Sequence, residues 1–279
     1  MHTTVPLNSA ARPRNTATGP RGRTGRIAAV MEELFRRQRT LALFGALLLA
    51  AMLPAAIAWG LDDRMLRGAN VWIKPLKFML SIALLAWTLA WFVGHLPPAR
   101  RRGWGVRAVV ALVIGAGGFE VGYITLQAAL GQGSHFNVGD RWHATMYTLM
   151  GIGAVLLTAS QPLLAALLWR WPDRQRPRVL RLGVIAGLVL SFVLGGGVGL
   201  ALSTQMPASA PGLPLLGWHL ADDLRPAHFV GLHAAQALPL AGAWLARRGR
   251  GWGWMAAVAA GYTLACVMLA VQGWAGWAG

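Results

Sequence analysis

Long apolar runs alternate with short polar stretches along most of the chain. Seven runs are long enough to span a membrane, because a helix of roughly 20 apolar residues crosses a hydrocarbon core of about 30 Å. They cover residues 41–60, 71–94, 106–130, 143–169, 182–203, 226–245 and 252–274. The pattern predicts an all-α integral membrane bundle of seven transmembrane helices, which forms a single domain of residues 41–279.

The first 40 residues follow a different pattern. Residues 1–25 are rich in Thr, Pro, Gly and Arg and predict a disordered basic tail. Residues 26–40 predict a short interfacial helix, in which acidic and basic side chains four positions apart can pair. No apolar run of the length of a secretory signal occurs at the start of the chain, so we expect no cleavage.

Positive charge is distributed unevenly between the two ends of the predicted spans. The end that carries the N-terminal tail has 20 Lys and Arg residues, and the opposite end has six. Because loops rich in Lys and Arg stay in the cytoplasm, this asymmetry predicts an N-in, C-out orientation. Twelve of the 14 tryptophans lie at predicted span ends, which is typical of the aromatic belts at membrane surfaces.

Composition removes several other classes of protein. The chain is 56% hydrophobic and 13% charged, far from the soluble average of about 25% charged. Its net charge of +17 lies in the loops that flank the spans and leaves no soluble domain for nucleic acid, so no nucleic-acid partner is expected. The single cysteine, Cys266, excludes a disulfide or a cysteine metal cluster within one chain.

Polar residues inside the spans fall on four helix faces. Ionisable groups at membrane depth are costly and usually face an interior cavity or one another, so we expect these faces to converge. In span order, they carry Asn70, Lys74, Lys77, Ser81 and Thr88; Glu120, Tyr123 and Gln127; His143, Tyr147 and Gln161; and Arg225, His228, His233 and Gln236.

Depth places this chemistry on the outer side. Five of the seven histidines lie in outer loops or in the outer halves of spans. At 1.5 Å per residue, Glu120 lies roughly 15 Å below the outer end of its helix. The sequence therefore predicts a funnel that opens outwards, with Lys and His near its mouth and Glu120 towards its floor.

The histidines are the candidate ligands of a cofactor. His143, His228, His233 and His135 are the predicted ligands of a transition metal such as Zn, Fe or Cu, with room left for an activated water. Alternatively, His143 and either His228 or His233 would be the axial ligands of haem b. The five-residue spacing of His228 and His233 differs from the four-residue spacing of helical metal motifs. Hydrogen bonding to neighbouring helices is the alternative role of all four.

The remaining polar groups supply candidate catalytic and binding residues. Glu120 is a candidate proton carrier or general base, and Lys77 can neutralise it or hold an anionic group. Lys74 either binds ligand or extends to the lipid headgroups. The predicted binding residues for a small anionic or lipid-like ligand are Lys74, Lys77, Ser81, Tyr123, Gln127, Asn137, Arg225 and Gln236.

Three stretches carry a resemblance to a known family. WIKPLKFMLS (72–81), EVGYITLQAALGQGSHFN (120–137) and LRPAHFVGLHAAQALPL (224–240) resemble a family of uncharacterised bacterial multi-pass membrane proteins, over most of the chain after residue 40. The resemblance implies a bacterial cytoplasmic (inner) membrane protein with the lipid bilayer as its surroundings. It implies no activity and no oligomeric state.

Two functions are compatible with these features. The first is an outward-facing membrane enzyme or redox protein that uses a His-ligated metal or haem, assisted by Glu120 or Lys77. The second is a transporter or sensor that binds a small anion or a proton in the same funnel, without a cofactor. In the second case, histidines that titrate between about pH 5 and 8 would act as a switch.

Overall fold

The computed structural model describes residues 23–204, 212–213, 217–219 and 222–275. The predicted tail of residues 1–25 lies almost entirely outside this range. The chain divides into two compact units, Met1–Glu33 and Leu34–Gly279. The functional groups considered below all belong to the second unit.

Helices dominate the described residues, as the apolar runs predict. The helices are α1 Arg23–Arg37, α2 Arg39–Leu61, α3 Ile73–Val93, α4 Trp104–Ala129, α5 Arg141–Arg170, α6 Arg178–Leu190, α7 Gly197–Leu202, α8 Arg225–Leu232, α9 Ala234–Arg247 and α10 Trp252–Ala275. A π-helical segment, Ser191–Gly196, joins α6 to α7, and a 3₁₀ turn covers Pro98–Arg100. Two short antiparallel strands, β1 Met65–Leu66 and β2 Ala69–Asn70, form a hairpin before α3.

The number of spans depends on one bent pair of helices. Six helical segments are long and apolar enough to cross a membrane: α2, α3, α4, α5, the run from α6 through α7, and α10. Helices α8 and α9 pass the same test together but meet at a bend of 48°. The all-α membrane bundle is therefore confirmed, and seven spans result if α8 and α9 count as one.

The sixth predicted span is not one continuous helix. Residues 226–245 were expected to form a single helix, whereas α8 ends and α9 begins on either side of His233, whose φ of −82° and ψ of 1° are not helical. Pro239 lies inside α9 and lacks the N–H group that a helix needs. Such a break leaves backbone groups without helical partners, and these must find other partners at membrane depth.

Small residues let the second half of the chain pack tightly. Gly183 and Gly187 of α6 face the backbone of α9, because a Cβ added to either would lie 2.7 Å from the carbonyl oxygens of Leu238 and Ala234. Gly195 and Gly231 bring the π-helical segment against α8 in the same way, with 2.6 Å between a Cβ on Gly231 and the Gly195 nitrogen. Such small-residue contacts are typical of close helix pairs in membranes.

The start of α2 is fixed to the end of α3 at the other side of the bundle. Gln38 interrupts the helix between α1 and α2 with φ of −152°, and its side chain accepts a hydrogen bond from the Thr40 N–H. The Arg37 guanidinium donates to the Trp91 carbonyl oxygen at 2.8 Å and lies 3.9 Å from the centre of the Trp91 ring. The helix predicted over residues 26–40 thus has a counterpart in α1, and its interfacial position stays a prediction.

Candidate functional site

A lysine and a histidine meet where α3 begins and the α4–α5 loop folds over it. The ammonium nitrogen of Lys74 lies 3.1 Å from Nδ1 of His135, and the hydroxyl of Ser134 lies 3.2 Å from the same nitrogen. Because an ammonium group only donates, Nδ1 of His135 accepts and the ring carries its proton on Nε2. Lys74 is therefore held by the protein, although the sequence also allowed it to extend to the headgroups.

His135 is held in its neutral form by its surroundings. Burial, and then the positive charge of Lys74, lower the pKa of His135 from 6.5 to about 3. The ring also lies beside those of Phe78 and Tyr147, with centroid distances of 6.2 and 5.9 Å. The imidazole in this loop is thus neutral and accepts from the Lys74 side chain.

Glu120 lies deeper in the same region, on α4. Its side chain is 2% exposed, and its Oε1 atom is buried without a hydrogen-bond partner among the described residues. Lys74 is near enough to interact with it electrostatically. All nine acidic residues of the chain lie in the described ranges, and Glu120 is the only one inside a spanning helix. One buried carboxyl group next to one lysine is the main electrostatic feature of the site.

The space for Glu120 is created by a glycine on the facing helix. A Cβ added to Gly153 of α5 would lie 3.0 Å from Oε1 of Glu120. By contrast, Cβ atoms at Gly118 and Gly122, the small neighbours of Glu120 on α4, would meet nothing within 4 Å. The small residue that makes room for the Glu120 carboxyl group is thus on the facing helix and not beside Glu120 on α4.

Two further polar side chains on the Glu120 face of α4 have unpaired buried atoms. The hydroxyl of Tyr123 and Oε1 of Gln127 are buried and have no hydrogen-bond partner in the described part of the chain. Tyr123 packs with Phe78 of α3 and with Met146 and Met150 of α5. The α4 stripe therefore lies between α3 and α5, and it offers polar atoms that no described protein group satisfies.

Lys77, one turn further along α3, and Arg225 at the start of α8 add positive charge near this site. Lys77 interacts electrostatically with Arg225. Arg225 is itself paired, because its Nε donates to both carboxylate oxygens of Asp223 at 2.8 and 2.9 Å. The ion pair and the backbone N–H groups of His219 and Arg225 lower the pKa of the Asp223 carboxyl group despite its burial. Arg225 thus anchors the start of α8, whereas the sequence assigned it to ligand binding.

The predicted metal ligand His143 lies in the first turn of α5, and both of its ring nitrogens form hydrogen bonds. Its Nδ1 lies 2.5 Å from Oδ2 of Asp140, and its Nε2 lies 3.0 Å from Oε1 of Gln132. Asp140 also accepts from the His143 backbone N–H, so it caps the start of α5. Both ring nitrogens of His143 are used, and neither is free to bind a metal without breaking a contact.

His228 and His233 surround the break between α8 and α9. Nδ1 of His228 donates to the Gly195 carbonyl oxygen at 2.8 Å, and Nδ1 of His233 donates to Oε1 of Gln236 at 3.1 Å. The Gln236 amide donates in turn to the Thr88 hydroxyl of α3 at 3.0 Å. His228 thus bonds to a neighbouring helical segment, which is the alternative that the sequence gave to metal binding, whereas His233 bonds to Gln236 of the α9 helix that it caps.

The freed carbonyl groups at this break also have partners. The Ser191 hydroxyl donates to the Leu232 oxygen at 2.7 Å, and the Tyr262 hydroxyl donates to the Val230 oxygen at 2.5 Å. The Ser191 hydroxyl thus replaces a missing helical bond, and the Tyr262 hydroxyl adds to the bond that the Val230 oxygen accepts from the His233 N–H. Such partners are what allow a broken helix at membrane depth.

The structure gives no support to a metal or haem site at the predicted histidines. Among the described residues, no group of three or more His, Cys, Asp or Glu side chains is placed to hold a metal ion. His135 contacts Lys74, and the other three predicted ligands bond to Asp140, Gly195 and Gln236. The described residues therefore form no cluster of metal ligands, and the metal and the haem stay sequence predictions.

Other predicted binding residues lie outside the central cluster. Ser81 is on an exposed face of α3. Asn70 is in β2 and not in the helix, where its side chain donates to the Asp62 carbonyl oxygen and accepts from the Trp72 N–H. Asn137 is half-buried in the α4–α5 loop. The sequence did not point to Gly153, which faces Glu120, or to Gln132, which bonds to His143. Only the spacing of these residues from the helix ends could have suggested the contacts.

Comparisons with known proteins add no family to this description. No protein-family model, no curated protein and no solved structure matches the chain. The resemblance to uncharacterised bacterial multi-pass membrane proteins therefore stays a prediction, and the functional argument depends on the geometry alone.

Proposed function

We propose that the chain is a multi-pass transporter or sensor of the bacterial cytoplasmic membrane that binds and releases a proton at Glu120. The proposal includes seven spans, with α8 and α9 as one broken span, and an N-in, C-out orientation. The excess of Lys and Arg at the end that carries the N-terminal tail supports this orientation. The Glu120 site then opens towards the outside.

The observation that carries the proposal is the buried, unpartnered carboxyl oxygen of Glu120 beside Lys74. An ionised carboxylate in an apolar interior is costly unless it is paired, and a neutral one needs a proton. Lys74 is within electrostatic range, but Oε1 has no hydrogen-bond partner among the described residues, so no described group fixes the carboxyl group in one of these two states. Such a group can change its charge without a large rearrangement of the helices.

A route for the proton leads from the outer loop to this carboxyl group. His135 lies in the α4–α5 loop, contacts Lys74 directly, and holds the lysine next to the Glu120 region. Tyr123 and Gln127 have buried polar atoms that can hold the waters or the hydrogen-bonding ligand needed between the loop and Glu120. A proton can therefore reach Glu120 from the outside while the cytoplasmic end of the bundle stays closed.

Infrared spectroscopy of the protein in lipid vesicles tests this directly. Acidification protonates all carboxyl groups, and we expect one of the resulting C=O stretching bands to come from a buried acid whose oxygen has no hydrogen bond. We expect Glu120→Gln to remove that band. Glu32→Gln, which changes an exposed glutamate outside the spanning helices, is the matched control and should keep the band. A band that survives Glu120→Gln, or a wild-type protein without any such band, would contradict the proposal.

A variant of Gly153 tests the position of the carboxyl group. Gly153→Ala places a methyl group 3.0 Å from Oε1 of Glu120, so we expect the band to shift in frequency. Gly151→Ala, on the same helix with nothing within 4 Å of its added Cβ, should leave it unchanged. Equal spectra of the two variants would show that Glu120 does not lie against α5.

A small anion is the second candidate ligand, favoured by the positive charges of the outer region. Lys74 interacts electrostatically with Arg67 and Lys77, and Lys77 with Arg225. A field of this sign attracts anions to the mouth of the site. Anion binding is measured by thermal unfolding of the purified protein at increasing concentrations of acetate or of phosphate. Stabilisation that Lys74→Met abolishes would support anion binding, and an equal response of Lys74→Met and wild type would exclude Lys74 as the ligand.

The metal or haem enzyme has less support. The predicted ligands bond to other protein groups, and no described donor set fits an ion. That function stays a sequence prediction, which an absorption spectrum and a metal assay of the purified protein can test.

A further inference from the structure

A second polar site lies at the opposite end of the bundle from Glu120. A cavity of about 240 Å³ is formed there by the ends of α3 and α5 and the start of α6. Its lining includes His95, Trp169, Asp173, Arg178, Arg181 and Leu182. The sequence assigned only a topological role to the arginines of this end, so a shaped cavity among them was not expected.

The cavity carries an excess of positive charge. Arg178 and Arg181 contribute two guanidinium groups to its lining, against the single carboxylate of Asp173. That carboxylate is already used, because it accepts from Nε of Arg176 and from the Gln175 N–H, each at 3.1 Å. The two lining arginines are therefore not neutralised by Asp173 alone.

One of these arginines has a hydrogen-bond donor to spare. Nε of Arg181 is buried and has no hydrogen-bond partner among the described residues. A buried guanidinium donor without an acceptor is unfavourable, and an oxyanion in the cavity would satisfy it. The guanidinium fork also matches the geometry of phosphate oxygens.

His95 completes the wall as a neutral hydrogen-bonding group. It is 6% exposed and packs against Phe92, and burial lowers its pKa to about 3, with the charges of Arg176 and Arg37 acting in the same direction. Its ring therefore adds no charge at physiological pH, and the arginines alone determine the sign of the site.

The rim of the cavity indicates where the oxyanion comes from. Trp169 is 68% exposed, and tryptophans at span ends lie at the level of lipid headgroups. The apolar side chains of Leu182 and Ile185 line the same cavity. A phosphate attached to a lipid can place its oxygens at the arginines and its glycerol and chains against these residues.

We propose that this cavity binds a phosphate group through Arg178 and Arg181, and that an anionic phospholipid supplies it. The site is distinct from the proposed proton site and does not depend on it. Under the proposed orientation it faces the cytoplasmic leaflet, where anionic lipids attract basic segments.

Native mass spectrometry of the full chain, purified in a neutral detergent and stripped of lipid, tests the proposal. The probes are short-chain phosphatidylglycerol, short-chain phosphatidylcholine and inorganic phosphate. We expect wild type to bind the phosphatidylglycerol, with weaker binding of the zwitterionic lipid. Loss of a charged hydrogen bond in Arg181→Gln should weaken binding by about tenfold or more.

The matched control removes the same charge from the loop that precedes α6. Arg174 is exposed and does not line the cavity, so Arg174→Gln should bind the lipid as wild type does. Arg178→Gln is a second test at an exposed position, which keeps the proposal testable if Arg181→Gln does not fold. Equal affinities of the Arg174, Arg178 and Arg181 variants, or no binding of either anionic probe by wild type, would overturn the site. Inorganic phosphate that binds as tightly as the lipid would support the phosphate site but overturn its assignment to lipid.

Discussion

The two polar regions of the bundle differ in how their hydrogen bonds are completed. In the Glu120 region, between α3, α4 and α5, the helices are continuous but buried atoms of Glu120, Tyr123 and Gln127 have no described partner. At the break between α8 and α9, the backbone is interrupted but the freed carbonyl oxygens of Val230 and Leu232 accept from hydroxyl groups. The carbonyl oxygens at the helix break therefore have hydrogen-bond partners, whereas buried side-chain atoms on the continuous helices have none among the described residues.

This difference separates a structural device from a candidate site. Broken membrane helices often mark binding sites, because unwound backbone can bind ions or substrates. Here the polar groups around the break already form hydrogen bonds, made by Ser191, Tyr262, His228 and His233. Few of them are therefore left to bind a ligand. The unpaired groups around Glu120 are the ones that gain most from a proton, a water or a ligand.

The largest expected effect concerns the contact between the π-helical segment and α8. Gly231→Ala would place a methyl group 2.6 Å from the Gly195 backbone, so we expect a loss of about 3 kcal/mol in the free energy of unfolding. SDS titration in mixed micelles measures it. Gly197→Ala, with nothing within 4 Å of the added atom, is the control. Equal stabilities would show that the backbones do not touch there.

The second-largest expected effect concerns the hydroxyl groups that bond to the carbonyl oxygens at the break. Ser191→Ala leaves the Leu232 oxygen without the Ser191 bond, and Tyr262→Phe removes one of the two bonds to the Val230 oxygen. Hydrogen bonds between membrane helices contribute about 1 kcal/mol each. We expect the double variant to lose about 2 kcal/mol by the same titration. The Thr263 hydroxyl bonds within its own helix, so Thr263→Val should have a smaller effect. If the double variant is as stable as wild type, these hydrogen bonds do not stabilise the break, and the contrast between the two regions is wrong.

Two glutamines give opposite expectations for the two regions. Gln127→Leu replaces a buried amide whose oxygen is unpaired, so stability should stay the same or rise. Gln236→Leu removes an amide that bonds both His233 and Thr88, so stability should fall by about 1 kcal/mol. A change of the free energy of unfolding in the same direction in both variants would contradict the proposed difference between the two regions.

The smallest expected effect is a pH dependence of stability at the loop over Lys74. His135 has a pKa of about 3 in the folded chain and 6.5 as a free side chain. Below about pH 6.5 the unfolded chain therefore takes up a proton that the folded chain does not, and stability falls as the pH drops towards 3. Thermal unfolding at pH 7 and pH 5 should show this fall.

The control for this pH effect is His135→Asn, which cannot titrate. Its melting temperature should fall less than that of wild type between pH 7 and pH 5. His95 has a lowered pKa of the same size and contributes in the same direction, so a residual fall is expected. A variant with the full wild-type pH dependence would show that His135 is not shielded in the folded protein.

Much of the fold could be predicted because the membrane imposes lengths on apolar runs. The ends of α3 and α4 lie within two residues of the predicted spans 71–94 and 106–130. The helix break at His233 could not be predicted, because Pro239 also fits a merely kinked helix. The break depends on partners far along the chain, such as Ser191 and Tyr262.

The candidate site was predicted in part. The face of α4 that carries Glu120, Tyr123 and Gln127 follows from helical periodicity, and all three are buried in the structure. The metal site has no such support, because residue type shows that imidazole can bind a metal but not which partner each ring meets. Asp140, Gly195 and Gln236 are those partners for three of the histidines.

The sequence by itself determined the membrane class, the approximate spans and which helix faces are polar, because these depend on local periodicity and on the cost of polar groups in lipid. Only the tertiary structure decided which polar groups meet. It placed Lys74 against His135 and left Oε1 of Glu120 unpaired beside Gly153. It also formed the arginine-lined cavity at the opposite end. Contacts between distant segments depend on how the helices pack, which no local pattern specifies.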